Sequence, residues 1–558
     1  MLRHAICKQH NMKHIFIIAA LLVGAFASCQ NTDGDVEGGS SDEKKEKKKV
    51  SKRDYSITKA NSYSTIFFDS LQLEKYVVEN NIPDSISRRM RSFYNTRNYQ
   101  YAWFSQDGFT EQALGFWNLY DYHLTYGQDS TLTEDKKLHN RMEALMVGNF
   151  SVSASNASYL KTELQLTERL ITYSLKNFQH NKYVKRKELE RFVPFKKQDA
   201  MYLADSLLNK KHKDNKYFED INEAYGQLKK ELQRYYNIAK QGGWQAIAAP
   251  KKGFKKGVTD PAIRQIKQRL SLTGDLTVRD TSQVYNDTLE LAVKRFQRRF
   301  GLTEDGVVNA NLVKEMNVPA VKRVQQLLLN LERMRWMPSR PDGELIMVNI
   351  PEFVLHVTEN KKKVFDMAVV VGKQGNNTMM FTGDLNQVVF SPYWNVPSSI
   401  VKEEILPELQ KDPMYLEKEN MEQVGMEGDL PAIRQRPGAG NALGKVKFLF
   451  PNKFNIYFHD TPSKSLFKRD KRAFSHGCIR LSDPEKMANY LLRHNDEWTP
   501  SRIVEAMNAG VEKFVKLKKS VPVFITYYTA WVDDEGLLNF REDIYKHDAK
   551  VMSKMFKN

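Results

Sequence analysis

"NIYFHDTPSKSLFKRDKRAFSHGCIRL", residues 455 to 481, runs from an alternating apolar strand through a basic loop to a Ser-His-Gly-Cys turn. Cys478 in that turn is one of only three cysteines in 558 residues, the others being Cys7 and Cys29. A thiol attacks as its thiolate, so it needs a base. Two histidines stand near in sequence. His476 is two positions before the cysteine, and His459 closes the strand nineteen positions before it, a separation that lets a loop bring strand end and cysteine together. An imidazole within hydrogen-bond reach of the sulfur gives a thiolate–imidazolium pair at neutral pH, and the same imidazolium can later protonate a leaving amine. That is acyl-transfer chemistry. A metal site built from His459, His476 and Cys478 would require a fourth ligand or an HExxH-type helix; neither is evident in the sequence, and no metal or other cofactor is expected.

The other two cysteines lie in an N-terminal segment that reads as an export signal. The first fourteen residues carry Arg3, Lys8 and Lys13 and no acid, and lead into "IFIIAALLVGAFA" (15–27), an apolar run too short for a permanent membrane helix. Met12 would serve equally well as the start. "FASC" resembles the lipobox of bacterial lipoproteins, in which the cysteine is acylated and becomes the first residue. Residues 1–28 are thus expected to be a lipoprotein signal peptide and Cys29 the lipidated residue, with plain secretion as the alternative. Cys478 would then be the one free thiol, and an odd cysteine in an exported chain marks a reactive group.

Export also bears on the formal net charge of +18. Such a charge suggests nucleic acid, but outside the cytoplasm a polyanionic envelope polymer is the better partner, and no nucleic acid is expected. Lysines and acids are interspersed along much of the chain, so a plain solvated surface accounts for part of the excess.

Residues 29–53 are Gly, Ser, acids and lysines with little to bury, and read as a disordered tether. From 54 to 250, apolar residues recur at helical spacing, as in Leu166, Leu170 and Tyr173, so a helical scaffold is expected. Within 251–318, "DPAIRQIKQRL" opens a helix on Pro261 and puts Ile263, Ile266 and Leu270 on one face. "AVKRFQRRFGLTEDGVVNANL" follows; it resembles the small three-helix peptidoglycan-binding domain, with Phe296, Gln297, Gly301, Leu302, Asp305 and Gly306 in register. A linking helix over 319–340 precedes a shift to strands. "ELIMVNIPEFVLHVTENKKKVFDMAVVVGK" reads as a hairpin turning at "ENKKK", and "QVVFSPYWNVP", "FNIYFHD" and "VPVFITYYTAWV" read as further strands. A mostly-β domain over 341–535 with a C-terminal extension at 536–558 completes a multidomain α+β chain.

"HDTPSKSLFKRDKRAFSHGCIRL" resembles the signature of the L,D-transpeptidase catalytic domain: a His, a loop, then Ser-His-Gly-Cys, an apolar residue and Arg. The resemblance extends to the long, exported or lipid-anchored branch that carries a helical scaffold and a peptidoglycan-binding module. It implies Cys478 as nucleophile and His459 as general base and acid, with the backbone carbonyl of Asp460 fixing the imidazole tautomer. A Cys-His-Asp arrangement using the Asp460 side chain is the rival. It further implies an oxyanion site formed by Tyr457 and the N–H groups of Gly477 and Cys478, and a substrate cleft bounded by Trp394, Asn395, Ser475, His476 and Arg480. The polar stretch at about 400–445 resembles the lid of this branch. Its "PGAGNALGK" is not a phosphate loop, since Ala439 and Val446 break the motif. Met379 stands where the family often has Pro after Thr378.

The implied reaction is formation of peptidoglycan cross-links through a cysteine acyl-enzyme. The L,D bond before the fourth-position D-alanine of a tetrapeptide stem is cleaved, and the acyl group passes to an amine of another stem. Water in place of that amine would make a carboxypeptidase or cross-link hydrolase. A non-catalytic wall-binding lipoprotein is the third reading. The expected partners are stem peptides and glycan, with the membrane held through Cys29.

Overall fold

The computed structural model describes residues 50–125, 134–148, 150–153, 156–177, 192–209, 219 and 222–557. The expected signal peptide, Cys29 and residues 29–49 of the expected tether lie outside them.

The N-terminal region is helical, with helices at Ser70–Glu79, Asp84–Asn95, Glu111–Thr125, Lys136–Val147, Ala157–Asn177, Ala200–Leu208 and Glu223–Lys240. Local sequence starts several of them: the side chains of Asp69, Asp135 and Asp199 accept first-turn N–H groups that have no intrahelical partner. Leu166, Leu170 and Tyr173 are buried together in the main apolar cluster.

Three further helices, Pro261–Leu272, Asp287–Arg299 and Ala310–Met316, form the next module. Asp260, Asn286 and Asn309 cap them, and Ile263, Ile266 and Leu270 are buried. The Phe-Gln and Asp-Gly elements prove to be one hydrogen-bonded unit. Gln297 Nε2 donates to Asp305 Oδ1 at 2.7 Å, and the Gly306 N–H donates to Gln297 Oε1 at 2.9 Å. Gly306 sits at φ +69°, in the left-handed region that costs glycine least.

The Ala320–Arg335 helix is buried along nearly its whole length. Its polar side chains reach the last part of the chain: Gln326 donates to the Thr529 carbonyl at 3.0 Å and Asn330 to Thr529 Oγ1 at 2.9 Å. Arg333 is clamped between Glu111 (2.6 Å) and Asp548 (2.7 Å). One continuous apolar cluster takes in the helical region, the three-helix module, this helix and the C-terminal residues Ala530, Leu538, Phe540, Val551, Met555 and Phe556.

A second cluster fills the β domain. Its strands are β1 (Glu344–Asn349), β2 (Val354–Glu359), β3 (Lys362–Gly372), β4 (Phe381–Phe390), β5 (Val446–Leu449), β6 (Phe458–His459), β7 (Ala473–Ser475), β8 (Ile479–Leu481) and β9 (Lys513–Thr526). They form a nine-stranded sheet in the order β7-β3-β8-β6-β5-β4-β9-β1-β2, and an additional β2–β3 pairing joins one end to the strand next to the other. The β2–β3 hairpin turns at Asn360 and Lys361, both at positive φ (51° and 64°), within the expected "ENKKK".

Between β4 and β5 the chain leaves the sheet. Trp394–Asn395, Met421–Glu427 and Leu430–Gln435 make a separate three-stranded sheet. Together with the helical turns from Ser398 to Lys418 it encloses a small core of its own, Val396, Ile400, Val401, Ile405, Met421 and Ile433. This subdomain occupies the stretch that the sequence suggests as a lid.

Candidate active site

Strand pairing builds the site. β6 runs parallel to β8, with Phe458 opposite Ile479 and His459 opposite Arg480, while β5 lies antiparallel on the other side of β6 with Lys447 opposite His459. Phe448, Phe458 and Ile479 point into the β-domain core. Alternation then turns Lys447, His459 and Arg480 to the other face, in a row across three strands. Cys478 stands one residue before β8. The Ile479 N–H donates to the Tyr457 carbonyl at 3.1 Å, which fixes the cysteine beside Tyr457.

His459 is buried, and its Nδ1 is 2.5 Å from the Asp460 carbonyl oxygen. That contact puts the ring proton on Nδ1 and leaves the Nε2 lone pair to act as base. The Asp460 carboxylate is engaged elsewhere: it accepts from the Lys445 N–H (2.9 Å), the Thr461 N–H (2.7 Å) and Lys464 Nζ (2.7 Å). Gly444 of the glycine-rich stretch lies against this carboxylate so closely that a Cβ would collide with it.

The Cys478 sulfur is partly exposed, 3.6 Å from the Asn455 carbonyl, and in hydrogen-bond contact with the Tyr457 hydroxyl. The Tyr457 and His459 rings are 5.7 Å apart. Burial dominates the electrostatics. Desolvation pushes the thiol above its ordinary range, with the Tyr457 contacts and the Arg480 charge pulling the other way. Desolvation, helped by Arg480, takes His459 down to about 3. Both groups therefore rest neutral at pH 7, unlike the thiolate–imidazolium pair that the sequence suggests. The physical reason is the low-polarity pocket, which disfavours either charge until a substrate arrives.

Around the nucleophile the turn is held by hydroxyls. Ser475 Oγ donates to the Cys478 carbonyl at 2.5 Å and accepts the Gly477 N–H at 3.2 Å, so in this geometry the Gly477 N–H points at a side chain and not at open space. Gly477 is at φ +119°. Two residues that sequence reading did not single out as supports also hold the turn. Thr378 Oγ1 donates to the Gly477 carbonyl at 2.8 Å and accepts from the Gly372 N–H at 2.9 Å. Tyr545, from the C-terminal extension, donates its hydroxyl to the Gly372 carbonyl at 2.6 Å.

His476 is turned away from this cluster. Its Nε2 lies 3.0 Å from Glu404 Oε1, on the subdomain with the three-stranded sheet, so the neighbour of the nucleophile serves as a point of contact with that subdomain. Trp394 and Asn395 belong to the same subdomain, pairing with Gln435 and Arg434, and Trp394 packs on its core.

Family models match three segments. Residues 343–523 match one described as "L,D-transpeptidase catalytic domain", residues 88–232 one described as "Scaffold domain", and residues 259–316 one described as "Putative peptidoglycan binding domain". A Haemophilus influenzae protein named "Putative L,D-transpeptidase" is 32% identical over 253 residues, which is 43% of this chain. The chain spans about half of that relative, 50% of its length. Among solved structures, an L,D-transpeptidase from Stackebrandtia nassauensis is 13% identical and covers 50% of this chain and 97% of its own, with a TM-score of 0.22. One from Xylanimonas cellulosilytica is 15% identical and covers 50% and 98%, with a TM-score of 0.16. At these TM-scores the superpositions carry no weight.

Proposed function

We propose that this chain, which carries an L,D-transpeptidase catalytic domain at residues 343–523 beside a scaffold and a peptidoglycan-binding domain, cross-links peptidoglycan stems through a Cys478 acyl-enzyme. The observation that supports it most is a single register: β6 beside β8, with a tautomer-fixed His459 on one strand and Cys478 immediately before the other.

In the mechanism, the scissile carbonyl enters beside Cys478, and His459 Nε2 takes the thiol proton as the C–S bond forms. Neutral reactants suit this step, because proton transfer and attack are coupled and no charge has to be buried in advance. Negative charge then gathers on the carbonyl oxygen, to which the Tyr457 hydroxyl, freed from the sulfur, and the Cys478 N–H would donate. The collapsing intermediate releases D-alanine with the proton from His459. An amine of a second stem attacks the thioester, His459 now acting as base, and the cross-linked product leaves Cys478 as the thiol. The lid-like subdomain, touching the site through Glu404 and His476, would exclude water from the thioester. An envelope location, with an acylated Cys29 as membrane anchor and the tether as spacer, fits this reading; among the described residues no helix is long and apolar enough to cross a membrane.

Incubation with disaccharide-tetrapeptide, followed by mass spectrometry, tests it. The expected product is a dimer lacking one D-alanine, whereas tripeptide alone would assign hydrolysis instead. The position of the Asp460 carboxylate gives a second expectation. In a Cys-His-Asp triad, Asp460→Asn would cost about 10⁴-fold in kcat. With the carbonyl as the imidazole's partner, the variant keeps kcat within about tenfold in the same assay, the loss reflecting only loosened bonds to Lys445 and Lys464.

A further inference from the structure

The thiol of Cys478 donates to the Asn455 carbonyl, 3.6 Å from the sulfur. Among the described residues His459 makes one hydrogen bond, from Nδ1 to the Asp460 carbonyl, so at rest the thiol proton is directed to Asn455 and not to the base. Asn455 lies in the loop between β5 and β6, at φ +52°, in the left-handed region that Asn tolerates better than most residues. One side chain fixes this loop. Asn452 Nδ2 donates to the Phe450 carbonyl at 2.6 Å and to the Ile456 carbonyl at 2.7 Å, while its Oδ1 accepts the Phe454 N–H at 3.0 Å and the Ile456 N–H at 3.2 Å. The Phe454 ring packs on Phe381, with centroids 5.3 Å apart, and Ile456 is buried in the β-domain core. The Asn455 side chain is exposed and makes no hydrogen bond among the described residues. What this loop presents to the reacting sulfur is therefore a backbone carbonyl, held in an uncommon conformation.

We propose that the Asn455 carbonyl orients the nitrogen that leaves and the nitrogen that attacks, and that Asn452 is the residue that positions it. The inference rests on the acyl-transfer reading above, and deepens it. When His459 Nε2 takes the thiol proton and the C–S bond forms, this carbonyl loses its donor beside the reacting carbon, a loss that a new N–H makes good. The scissile nitrogen is bonded to that carbon and carries one N–H. Donating it to Asn455 turns the nitrogen lone pair toward the protonated His459, which gives up its proton as the C–N bond breaks. In the second half, the lone pair of the incoming amine closes on the thioester. One of its hydrogens passes to His459, another is donated to Asn455, and the departing sulfur recovers its proton from His459. The carbonyl takes no proton in either half; it exchanges an S–H donor for an N–H donor and back.

The test uses the full chain and two donors: the tetrapeptide, and its analogue in which D-lactate replaces the terminal D-alanine, so that an ester oxygen stands where the N–H was. Single-turnover release of D-alanine or D-lactate is followed by mass spectrometry for the native protein and Asn452→Ala. The variant is expected to slow the amide donor about tenfold more than the ester donor, the effect of one neutral hydrogen bond made to the reacting nitrogen. A role confined to the shape of the loop moves both rates together. An amide-to-ester ratio equal to the native one, whether or not both rates fall, therefore overturns the proposal. If Asn452→Ala does not fold, Asn452→Asp is judged by the same criterion; it keeps an acceptor for the Phe454 and Ile456 N–H groups and loses the donor to the Phe450 and Ile456 carbonyls. A native protein that releases neither product removes the acyl-transfer reading itself, and the proposal with it.

Discussion

Cys478→Ala is expected to abolish D-alanine release and dimer formation, a loss of at least about 10⁴-fold, because in the proposed mechanism the acyl group is carried on the Cys478 sulfur. Cys478 is the one free cysteine among the described residues, and the neighbouring hydroxyls are already committed. Ser475 Oγ is 2.5 Å from the Cys478 carbonyl and Thr378 Oγ1 is 2.8 Å from the Gly477 carbonyl, each holding the turn. The sulfur's own contacts are few, and its packing is that of a small, partly exposed side chain. The variant should therefore fold and lose little stability, with circular dichroism and the melting temperature close to the native values. Loss of activity with retained structure is the expected pair of results; retained activity would remove Cys478 from the mechanism.

The second large effect is on stability. Arg333→Ala is expected to cost about 3–5 kcal/mol, the usual penalty for removing one partner of a buried ion cluster. Arg333 Nε and Nη2 approach the two oxygens of Glu111 at 2.6 and 3.1 Å, while Nη1 reaches Asp548 at 2.7 Å. Without the guanidinium, two carboxylates face each other in a largely buried site. The three residues come from the helical region, the connecting helix and the C-terminal helix, so the damage spreads to every element that meets there. A urea titration should show the midpoint falling sharply for Arg333→Ala. The triple variant Arg333→Met, Glu111→Gln, Asp548→Asn should recover most of it, since its polar groups no longer carry unpaired charge. A midpoint unchanged in the single variant would contradict the structure at this point.

Local signals carried far in this chain, and distant contacts did not. The thiol, the upstream histidine and the strand that carries it lie within 27 residues, 455 to 481, so the candidate residues could be named without the fold. The Phe-Gln and Asp-Gly elements were legible for the same reason, since Gln297 bonds to groups only eight to ten positions away. The supports of the nucleophile turn were not. Thr378 reaches Gly477 across 99 positions and Tyr545 reaches Gly372 across 173, and no periodicity or motif announces a hydrogen bond between such partners. The contact of His476 with Glu404 is hidden in the same way. Protonation was the other blind spot: type and spacing suggest an ion pair, but burial decides the charge, and burial is a property of the assembled sheet.

The most direct measurement is of the covalent intermediate. The full chain is mixed with donor tetrapeptide whose own side-chain amine is blocked, so that no acceptor amine is present, then quenched in acid, digested and weighed by mass spectrometry. The account predicts a mass increase equal to the donor less D-alanine, confined to the fragment that contains Cys478. An adduct on any other fragment, or D-alanine released at the native rate by Cys478→Ala, would contradict it.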